Sequence, residues 1–382
     1  MKTCTKCIIP ESVKGAEISE GLCTFCKTDQ RHRQKSAMGK EALYRELKQP
    51  ASAKYDCLVP ISGGKDSSYV LYYLAKVLGL RVLAFFFDNG FICSFARENV
   101  QNMCGSMGVD LVIERATAYR LKQTQHALHA AKHLGRFVKV CGTCSNNLRT
   151  HSILAAKRQG IKHIVWGASD FEDSSTDYLR NEKLKQGNRD TWGTPGSERR
   201  KVWRALKLLF SGSPVGKLRA FYHGLYYMYY TVRDNLASGC MEGIRNYNPF
   251  LEVPFVGKGV QVHYFFDYIP YNPVQQVAEL IKETGWRHPE SREMRMDCML
   301  HAFINYQHLC DNGITHDGFI LAGLVRYGLM DRQTALVREA AAREGLAEEC
   351  ERIALELGVI SLFRNWSTNK VVPPGQKCQP LL

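Results

Sequence analysis

The sequence contains no long hydrophobic run. No stretch approaches the roughly 18 uninterrupted apolar residues that a helix needs to span a membrane. The opening residues Met1-Lys2-Thr3-Cys4 also lack the apolar core of an export signal. We therefore expect a cytoplasmic protein, with peripheral attachment to the inner surface of the membrane as the alternative.

Disulfide bonds and unstructured tracts are not expected either. Without an export signal, the 14 cysteines are better explained as metal ligands, redox groups or buried thiols than as a disulfide framework. No internal repeat or low-complexity tract is present, and hydrophobic residues make up 45% of the chain, as in ordinary globular proteins. Disordered and fibrous classes are thereby excluded.

Acidic residues are scarce relative to basic ones, since 51 lysines and arginines against 37 aspartates and glutamates give a formal net charge of +14. Residues 180–234 alone contain twelve basic and four acidic residues, interleaved with aromatic side chains. Such a segment suits an anionic partner, and a nucleotide-linked substrate, RNA and an anionic membrane surface all qualify. The structural alternative is an amphipathic helical hairpin that packs on the rest of the protein.

Short apolar runs alternate with helical patterns through the first half of the chain. The runs predicted to form buried strands are 55–61, 81–87, 110–114 and 162–167. Apolar residues at helical spacing predict helices at 69–77, 94–107, 144–159, 273–284, 297–310, 331–343 and 346–357. This alternation predicts an α/β fold in which helices flank a parallel sheet, followed by a helical C-terminal region.

A glycine loop, Ser62-Gly63-Gly64-Lys65-Asp66-Ser67, follows the first predicted strand. Two glycines at a helix start let backbone N–H groups converge on an anion, and the helix dipole favours negative charge there. The structural alternative is a plain turn between a strand and a helix. The loop lacks the spacing of a Walker motif and instead resembles the PP-loop of ATP pyrophosphatases, which have an adenine nucleotide alpha-hydrolase-like fold.

That resemblance implies a reaction in which ATP is cleaved between its α- and β-phosphates. Lys65 would neutralise phosphate charge, and Ser62, Ser67 and the loop amides would hold the pyrophosphate. AMP would be attached to a substrate oxygen, with Lys65 and Asp66 as the catalytic residues of this loop.

Further nucleotide contacts are expected at the carboxyl ends of neighbouring strands. Asp88 ends the second predicted strand and Gly167 ends the strand at 162–167, where parallel sheets present ligand-binding residues. Asp170 and Asp173 follow and could hold Mg²⁺ through their carboxylates. For these two acids the alternative is an ordinary solvated loop.

Four cysteines near the start of the chain have the spacing of a zinc site. Cys4-x₂-Cys7 and Cys23-x₂-Cys26 are separated by fifteen residues, a pattern typical of tetrahedral thiolate coordination. This segment has few apolar residues, so Zn²⁺ would supply much of its folding free energy. A structural metal module is therefore predicted at 1–30.

A second pair, Cys141-Gly142-Thr143-Cys144, is predicted to lie in a loop before a helix, whose N-terminus would favour the thiolate. Three interpretations stay open: a persulfide or iron–sulfur site for sulfur transfer, a second metal site, and a structural pair that shapes the substrate pocket. Cys240, Cys298 and Cys378 are candidate partners, although a lone cysteine is more often a small buried hydrophobe.

Residues 4–11, 55–67 and 266–270 together give the chain a resemblance to the N-acetyl sugar amidotransferases of surface-polysaccharide and lipopolysaccharide biosynthesis. The resemblance implies that nitrogen is transferred to a nucleotide-linked sugar, with ammonia supplied by a separate glutaminase subunit. No glutaminase motif is evident in this chain, which agrees with such a division of labour.

Residues 141–173 resemble instead the matching segment of PP-loop tRNA thiolation enzymes, with Arg149 and Gly167 in corresponding places. This resemblance implies an ATP-dependent sulfurtransferase that uses Cys141 and Cys144 and receives sulfur from a donor protein. A non-catalytic nucleotide-binding subunit is a third hypothesis, and the intact Lys65 and Asp66 argue against it.

The chain is accordingly divided into four segments. The predicted boundaries are a zinc-binding module at 1–30, a PP-loop ATP-pyrophosphatase domain at 31–178, a basic aromatic insertion at 179–246 and a mostly helical substrate or partner region at 247–382.

Overall fold

The computed structural model describes residues 2–13, 15–28, 37–115, 139–168, 259–287, 297–361 and 363–364, with the backbone alone at 139–147 and 150. The predicted insertion at 179–246 lies outside this part of the chain, as do Asp170, Asp173, Cys240 and Cys378.

The centre of the molecule is a parallel sheet of five strands. Its members are β3 (Cys57–Pro60), β4 (Val82–Asp88), β5 (Asp110–Arg115), β6 (His163–Trp166) and β7 (Gln261–Tyr264), and a hairpin of β1 (Ile18–Ser19) and β2 (Leu22–Cys23) precedes them. The sheet order is β5-β4-β3-β6-β7, and each neighbouring pair is parallel. The predicted α/β fold class is confirmed.

Ten α-helices are described. They are α1 (Thr24–Thr28), α2 (Lys40–Leu47), α3 (Lys65–Tyr72), α4 (Ser94–Met107), α5 (Lys139–Arg158), α6 (Pro273–Thr284), α7 (His301–Asn312), α8 (His316–Arg326), α9 (Arg332–Arg343) and α10 (Leu346–Glu356). A single π-helical turn, Tyr73–Val77, continues α3. None of the helices that the structure describes combines the length and the apolar character needed to cross a membrane.

Helices cover both faces of the sheet because its strand residues alternate between two apolar layers. Ala84 and Phe86 of β4 face the layer that contains Leu71 of α3 and Val100 of α4. Their neighbours in β4, such as Phe85, contribute to the opposite layer, which α5 covers. This burial on both sides explains why the strands read as continuous apolar runs in the sequence.

Helix α8 is among the helices that were not predicted, and another helix began too early in the prediction. Helix α8 is almost wholly buried, so its apolar residues lack the one-sided periodicity from which a surface helix is recognised. Its start is defined by Thr315, whose side chain accepts a hydrogen bond from the Gly318 N–H. The helix predicted at 297–310 begins at His301, because Cys298 forms a bridge with Ile92.

The N-terminal module packs against the C-terminal helices. Ile8, Ile9 and Val13 share a buried cluster with Phe319 and Leu321 of α8. The Arg332 guanidinium at the start of α9 donates hydrogen bonds to the Cys4 and Cys7 carbonyl oxygens, at 3.3 and 3.0 Å. The module therefore obtains from α8 and α9 much of the apolar surroundings that its own sequence lacks.

Candidate functional site

The glycine loop leaves β3 at the carboxyl edge of the sheet, with β4 on one side and β6 on the other. Gly64 forms the N-cap of α3, which begins at Lys65. The loop amides and the N-terminus of α3 thus meet at the middle of the sheet edge. This is the position at which open parallel sheets bind their ligands.

Gly63 is required at its position for two reasons. Its φ of 84° lies in the left-handed region, and a Cβ built on it would be 2.1 Å from the Ala96 carbonyl oxygen of α4. The Gly63 carbonyl oxygen accepts a hydrogen bond from Trp286 Nε1 at 3.0 Å. Contacts with helix α4 and with the buried Trp286 indole therefore fix the conformation of the loop.

The two serines of the loop face each other across it. Ser62 Oγ and Ser67 Oγ are 3.1 Å apart, and the Ser62 N–H donates to Ser67 Oγ at 3.1 Å. The Gly64 N–H points to Ser62 Oγ at 3.3 Å. Hydroxyl and amide donors are thus gathered within one turn, and phosphate oxygens can accept from both kinds of donor.

Lys65 is buried at the start of α3, although lysine is rarely buried without a partner. Its Nζ lies 2.5 Å from Asp66 Oδ2 and 3.0 Å from the Tyr271 hydroxyl. Only 7% of the Lys65 side chain and 10% of the Asp66 side chain are exposed. The ammonium group is therefore fixed in direction beside the loop, in surroundings where its charge is weakly screened.

Asp88 lies at the end of β4, as predicted, and is buried. Its carboxylate accepts from the Gly90 N–H at 3.1 Å and pairs with the Arg97 guanidinium of α4 at 3.1 Å. Gly167 follows β6, and a Cβ there would lie 3.1 Å from Val70 and 3.2 Å from the Asp66 backbone. Its small size lets α3 approach the end of β6 closely.

Asp297, Tyr271 and Trp286 reach the glycine loop, a contact that the sequence did not predict for any of them. A Cβ built on Gly64 would be 3.9 Å from Asp297 Oδ2, so this carboxylate faces the glycine loop. The Cys93 N–H donates to the Asp297 carbonyl at 3.1 Å, which ties this segment to the residues after β4. Each of the three comes from beyond residue 260 and belongs to no local motif, so no signal in the sequence near the loop could have indicated it.

The predicted loop around Cys141 and Cys144 is wrong, because both positions lie within α5, which begins at Lys139. Gly142 and Thr143 are poor helix formers, and propensity of this size is often overridden by the rest of the fold. Cys141 lies in the first turn of the helix as the structure describes it, from Lys139 onward. The side chains of both cysteines lie outside what the structure describes.

The beginning of α5 extends beyond the carboxyl edge of the sheet. His151 of α5 is hydrogen-bonded to Glu114 near the end of β5, and the Arg149 guanidinium lies 5.6 Å from the Trp166 ring centroid at the end of β6. Cys144 precedes His151 by seven residues, which corresponds to about 10 Å along a helix. The backbone at Cys141 and Cys144 therefore lies toward the same carboxyl edge of the sheet as the glycine loop, although α5 covers the opposite face from α3.

The four N-terminal cysteines form a buried group whose sulfur atoms all lie within 4.8 Å of one another. Cys4 Sγ and Cys26 Sγ are 3.7 Å apart, as are Cys7 Sγ and Cys23 Sγ. A tetrahedral ion with metal–sulfur bonds of zinc length separates its sulfurs by about 3.8 Å. The four thiols therefore fit a single metal ion, whereas the sulfurs around a four-iron cluster lie further apart.

Backbone donors complete this group. The N–H groups of Cys7 and Cys23 point to Cys4 Sγ at 3.5 and 3.3 Å, and the Ile9 N–H points to Cys7 Sγ at 3.5 Å. Side-chain hydrogen bonds with Cys23 and Cys26 hold the pKa of Cys7 far below its usual range. Thiolate is the form that binds a metal, and within this group it is favoured at Cys7, whereas contacts with the neighbouring thiols and burial raise the pKa of Cys23 and Cys26.

Comparisons with known proteins give local matches. No protein-family model matches the chain. The chain is 44% identical over 110 residues to a GMP synthase [glutamine-hydrolyzing] of Aliarcobacter butzleri, covering 29% of this chain and 20% of that protein. It is 27% identical over 169 residues to an uncharacterized protein of Methanocaldococcus jannaschii, covering 43% of this chain and 58% of the other. The chain thus spans less than two thirds of either relative.

Among solved structures, the U34-tRNA thiolase NcsA from Methanococcus maripaludis with its [4Fe-4S] cluster aligns over 99% of this chain and 92% of that chain. The sequence identity is 11% and the TM-score is 0.35, too low to define a common architecture in detail. The local match to a GMP synthase, with the glycine loop at the centre of a parallel sheet, supports an enzyme of the PP-loop superfamily. These comparisons give no support to the N-acetyl sugar amidotransferase family in particular.

Proposed function

We propose that this protein is an ATP pyrophosphatase that activates a substrate oxygen by adenylation. The observation that supports this most is the glycine loop, in which Lys65, the two serine hydroxyls and the start of α3 converge at the carboxyl edge of the sheet. Such an arrangement suits the β- and γ-phosphates of ATP, because donors and positive charge are already in place. The α-phosphate would then be exposed to the attacking substrate oxygen.

Lys65 would act by stabilising the charge that develops on the departing pyrophosphate. Its ammonium group is held by Asp66 and Tyr271, so little reorganisation is needed when the phosphates bind. Mg²⁺ would accompany the nucleotide and neutralise further phosphate charge. Asp170 and Asp173, which lie outside the described residues, are the carboxylates that we propose for this ion.

Pyrophosphate release tests the first half of the reaction. The protein is incubated with ATP, Mg²⁺, ammonium and either bulk tRNA or a mixture of nucleotide-linked N-acetyl sugars, and the nucleotide products are separated. We expect AMP and pyrophosphate in equal amounts, with at least a 100-fold loss in Lys65→Ala, roughly the effect of removing one main stabilising group. Lys76→Ala, at an exposed lysine one turn past α3, serves as the matched control. Formation of ADP and inorganic phosphate would contradict the proposal.

For the second half of the reaction we propose sulfur transfer to a nucleotide or tRNA base. A persulfide sulfur on Cys141 or Cys144 would attack the adenylated carbon and expel AMP. The other cysteine would then attack the resulting mixed disulfide, which releases the thiolated product and leaves a Cys141–Cys144 disulfide for a thiol reductant. The backbone positions of both cysteines, toward the carboxyl edge at which the glycine loop lies, support this assignment, and a donor protein would reload the sulfur.

Nitrogen transfer is the second candidate, and the match to a glutamine-hydrolyzing GMP synthase favours it. Ammonia from a glutaminase subunit would attack the adenylated carbon of a nucleotide-linked N-acetyl sugar, and AMP would leave. In both candidates the basic segment 180–234, outside the described residues, would attract the anionic acceptor by charge.

Replacing Cys141 and Cys144 by serine separates the two candidates. Sulfur transfer predicts that thiolated product disappears in both variants, while Cys104→Ser, at a buried thiol of α4, behaves as the wild type. Turnover driven by ammonium that survives in both variants would count against an obligatory sulfur carrier and in favour of nitrogen transfer.

We also propose that the N-terminal cysteine group holds one structural Zn²⁺, bound by Cys4, Cys7, Cys23 and Cys26. The spacing of the sulfur atoms supports a single ion with tetrahedral coordination. The ion would contribute to folding, because the N-terminal module packs on α8 and α9 rather than on the glycine loop.

A further inference from the structure

Two C-terminal helices bring a second set of metal-binding side chains together. His301 opens α7, and His316 and Asp317 open α8. His301 Nε2 lies 2.9 Å from Asp317 Oδ1, and His316 Nδ1 lies 4.0 Å from the same oxygen. One ligand atom from each residue lies within 4.8 Å of the other two. None of these side chains belongs to the glycine loop or to the cysteine group.

All three residues are buried, with exposed fractions of 5% for His301, 9% for His316 and 7% for Asp317. A carboxylate in such surroundings requires a positive partner, since removing an ion from water costs several kcal/mol by usual estimates. The imidazole of His301 can supply that charge only when it is protonated. A bound divalent cation would supply it while both imidazoles stay neutral, which is the form that binds a metal.

Neighbouring groups fix the orientation of Asp317. Asn305 Nδ2 donates to Asp317 Oδ2 at 3.0 Å, and the Asp317 N–H donates to Asn305 Oδ1 at 3.1 Å. The other carboxylate oxygen is therefore the one that faces the two imidazoles. Metal-binding carboxylates are commonly held in this way by a second hydrogen bond.

The start of α8 is also held rigidly. Glu339 of α9 accepts hydrogen bonds from the Thr315 N–H at 2.9 Å and from the Thr315 hydroxyl at 2.5 Å. A Cβ on Gly318 would be 2.3 Å from Glu339 Oε2, so no larger residue fits there without movement. His316 and Asp317 are thus presented to His301 from a helix end that has little freedom to shift.

A third imidazole lies against this group. The ring centroid of His308 is 5.0 Å from that of His316, and its Nδ1 is buried without a hydrogen-bond partner among the described residues. A third imidazole thus packs on His316 in the same buried region.

We infer that His301, His316 and Asp317 form a binding site for a divalent transition-metal ion of the zinc class. Two imidazole nitrogens and one carboxylate oxygen suit such an ion, whereas Mg²⁺ and Ca²⁺ prefer oxygen ligands throughout. Because the ligands come from two successive helices and are buried, the ion would tie the beginnings of α7 and α8 together. The site is independent of the proposed adenylation reaction.

Metal content and the spectrum of a cobalt-substituted protein test this inference. The full-length protein is stripped with a chelator and titrated with Co²⁺, which shows intense sulfur-to-metal charge-transfer bands at a thiolate site and only weaker visible bands at a nitrogen and oxygen site. We expect two equivalents of Co²⁺ in the wild type. Asp317→Asn should lose one equivalent together with the weaker bands and keep the thiolate bands.

His163→Gln, which alters a buried histidine outside this group, is the matched control and should still bind two equivalents. A wild-type protein that binds one equivalent, with thiolate bands alone, would overturn the inference even if Asp317→Asn failed to fold. An Asp317→Asn protein that still binds two equivalents with an unchanged spectrum would overturn it as well. In that case His301 and Asp317 are simply a buried ion pair.

Discussion

At the scale of single residues, Gly63 shows how closely the glycine loop is enclosed. The residue has a left-handed backbone, its missing side chain leaves room for the Ala96 carbonyl, and its own carbonyl receives the Trp286 indole N–H. Each of these contacts requires the backbone of the loop to keep this one conformation. A change at this position therefore affects both the backbone conformation and the packing of α4.

We predict that Gly63→Ala strongly destabilises the protein. The left-handed conformation alone costs an alanine about 1–2 kcal/mol, and the contact with the Ala96 oxygen adds to that cost. Urea unfolding measures the loss, and ATP binding should weaken in parallel. Gly105→Ala is the control, because its Cβ would meet nothing within 4 Å in α4 and should stabilise the helix by about 0.5–1 kcal/mol. Equal stability of the two variants would contradict the prediction.

At the scale of secondary-structure elements, Asp56 joins three of them at the end of the sheet opposite the glycine loop. It lies directly before β3 and accepts from the Gln49 N–H after α2 at 2.8 Å. It also accepts from the backbone N–H and the guanidinium of Arg81 before β4, at 2.8 and 2.6 Å. Its side chain is fully buried, so these contacts replace all of its hydration.

The charge of Asp56 makes stability depend on acid pH. Burial by itself would raise the pKa of Asp56, but hydrogen bonds from Arg81 and Gln49 and the charge of Lys48 outweigh it and hold the pKa far below its usual range. A depressed pKa means that the stabilisation is fully present above the unfolded value of about 3.9. It is lost as the pH falls below that value and through the folded pKa.

We predict that Asp56→Asn lowers the free energy of unfolding by about 3 kcal/mol at pH 7, because Arg81 loses the charge of its buried partner. The difference from the wild type should shrink between about pH 4 and pH 2. Thermal unfolding over that range measures it. Asp110→Asn, at an exposed ion pair with Lys54, should change stability much less than Asp56→Asn does. A pH-independent difference at Asp56 would show that its charge contributes little.

At the scale of the whole molecule, the N-terminal module that contains the four cysteines is joined to helices α8 and α9. Its apolar residues complete the core beneath α8 and α9, and Arg332 donates to its carbonyl oxygens. Tyr271 belongs to the same core and also contacts Lys65 of the glycine loop. The module is thus part of the support for α8, α9 and, through Tyr271, the loop.

We predict that Cys7→Ser loosens the C-terminal helices as well as the module. Loss of the metal ligand should raise hydrogen exchange in 316–343 by about tenfold or more, which corresponds to about 1.4 kcal/mol of local stability. Exchange in β3 and β4 should change much less. Cys104→Ser, a buried cysteine outside the group, is the control. If exchange rises at 2–28 alone, the shared core does not couple the module to α8 and α9.

Strands and loops could be predicted from the sequence where a local pattern of residues determines the structure. The apolar runs at 81–87 and 110–114 and the glycine string at Ser62 are local signals, and each lies where the pattern predicts. The start of α5 was misplaced because tertiary packing overrides the weak propensity of Gly142 and Thr143. The roles assigned to Asp88, Gly167, Cys141 and Cys144 stay predictions.

Contacts made across long stretches of sequence could not be predicted. Tyr271 reaches Lys65, and Trp286 reaches Gly63, only because the sheet and α6 bring distant segments together. The helical pattern at 297–310 did not indicate that Asp297 faces the glycine loop, and the buried helix α8 has no one-sided periodicity of its own. The roles of such residues can be recognised only once the fold shows which segments lie next to each other.

The order of strands in the sheet also has a consequence for a chain that is still being synthesised. β3 pairs with β6, which follows it by more than a hundred residues. At ordinary translation rates β6 leaves the ribosome about 5–20 s after β3. During that interval β3, β4 and β5 can already associate, but the apolar edge of β3 has no neighbour, which is the condition in which strands pair wrongly. The edge of β3 is therefore open to incorrect pairing until residue 166 has been made.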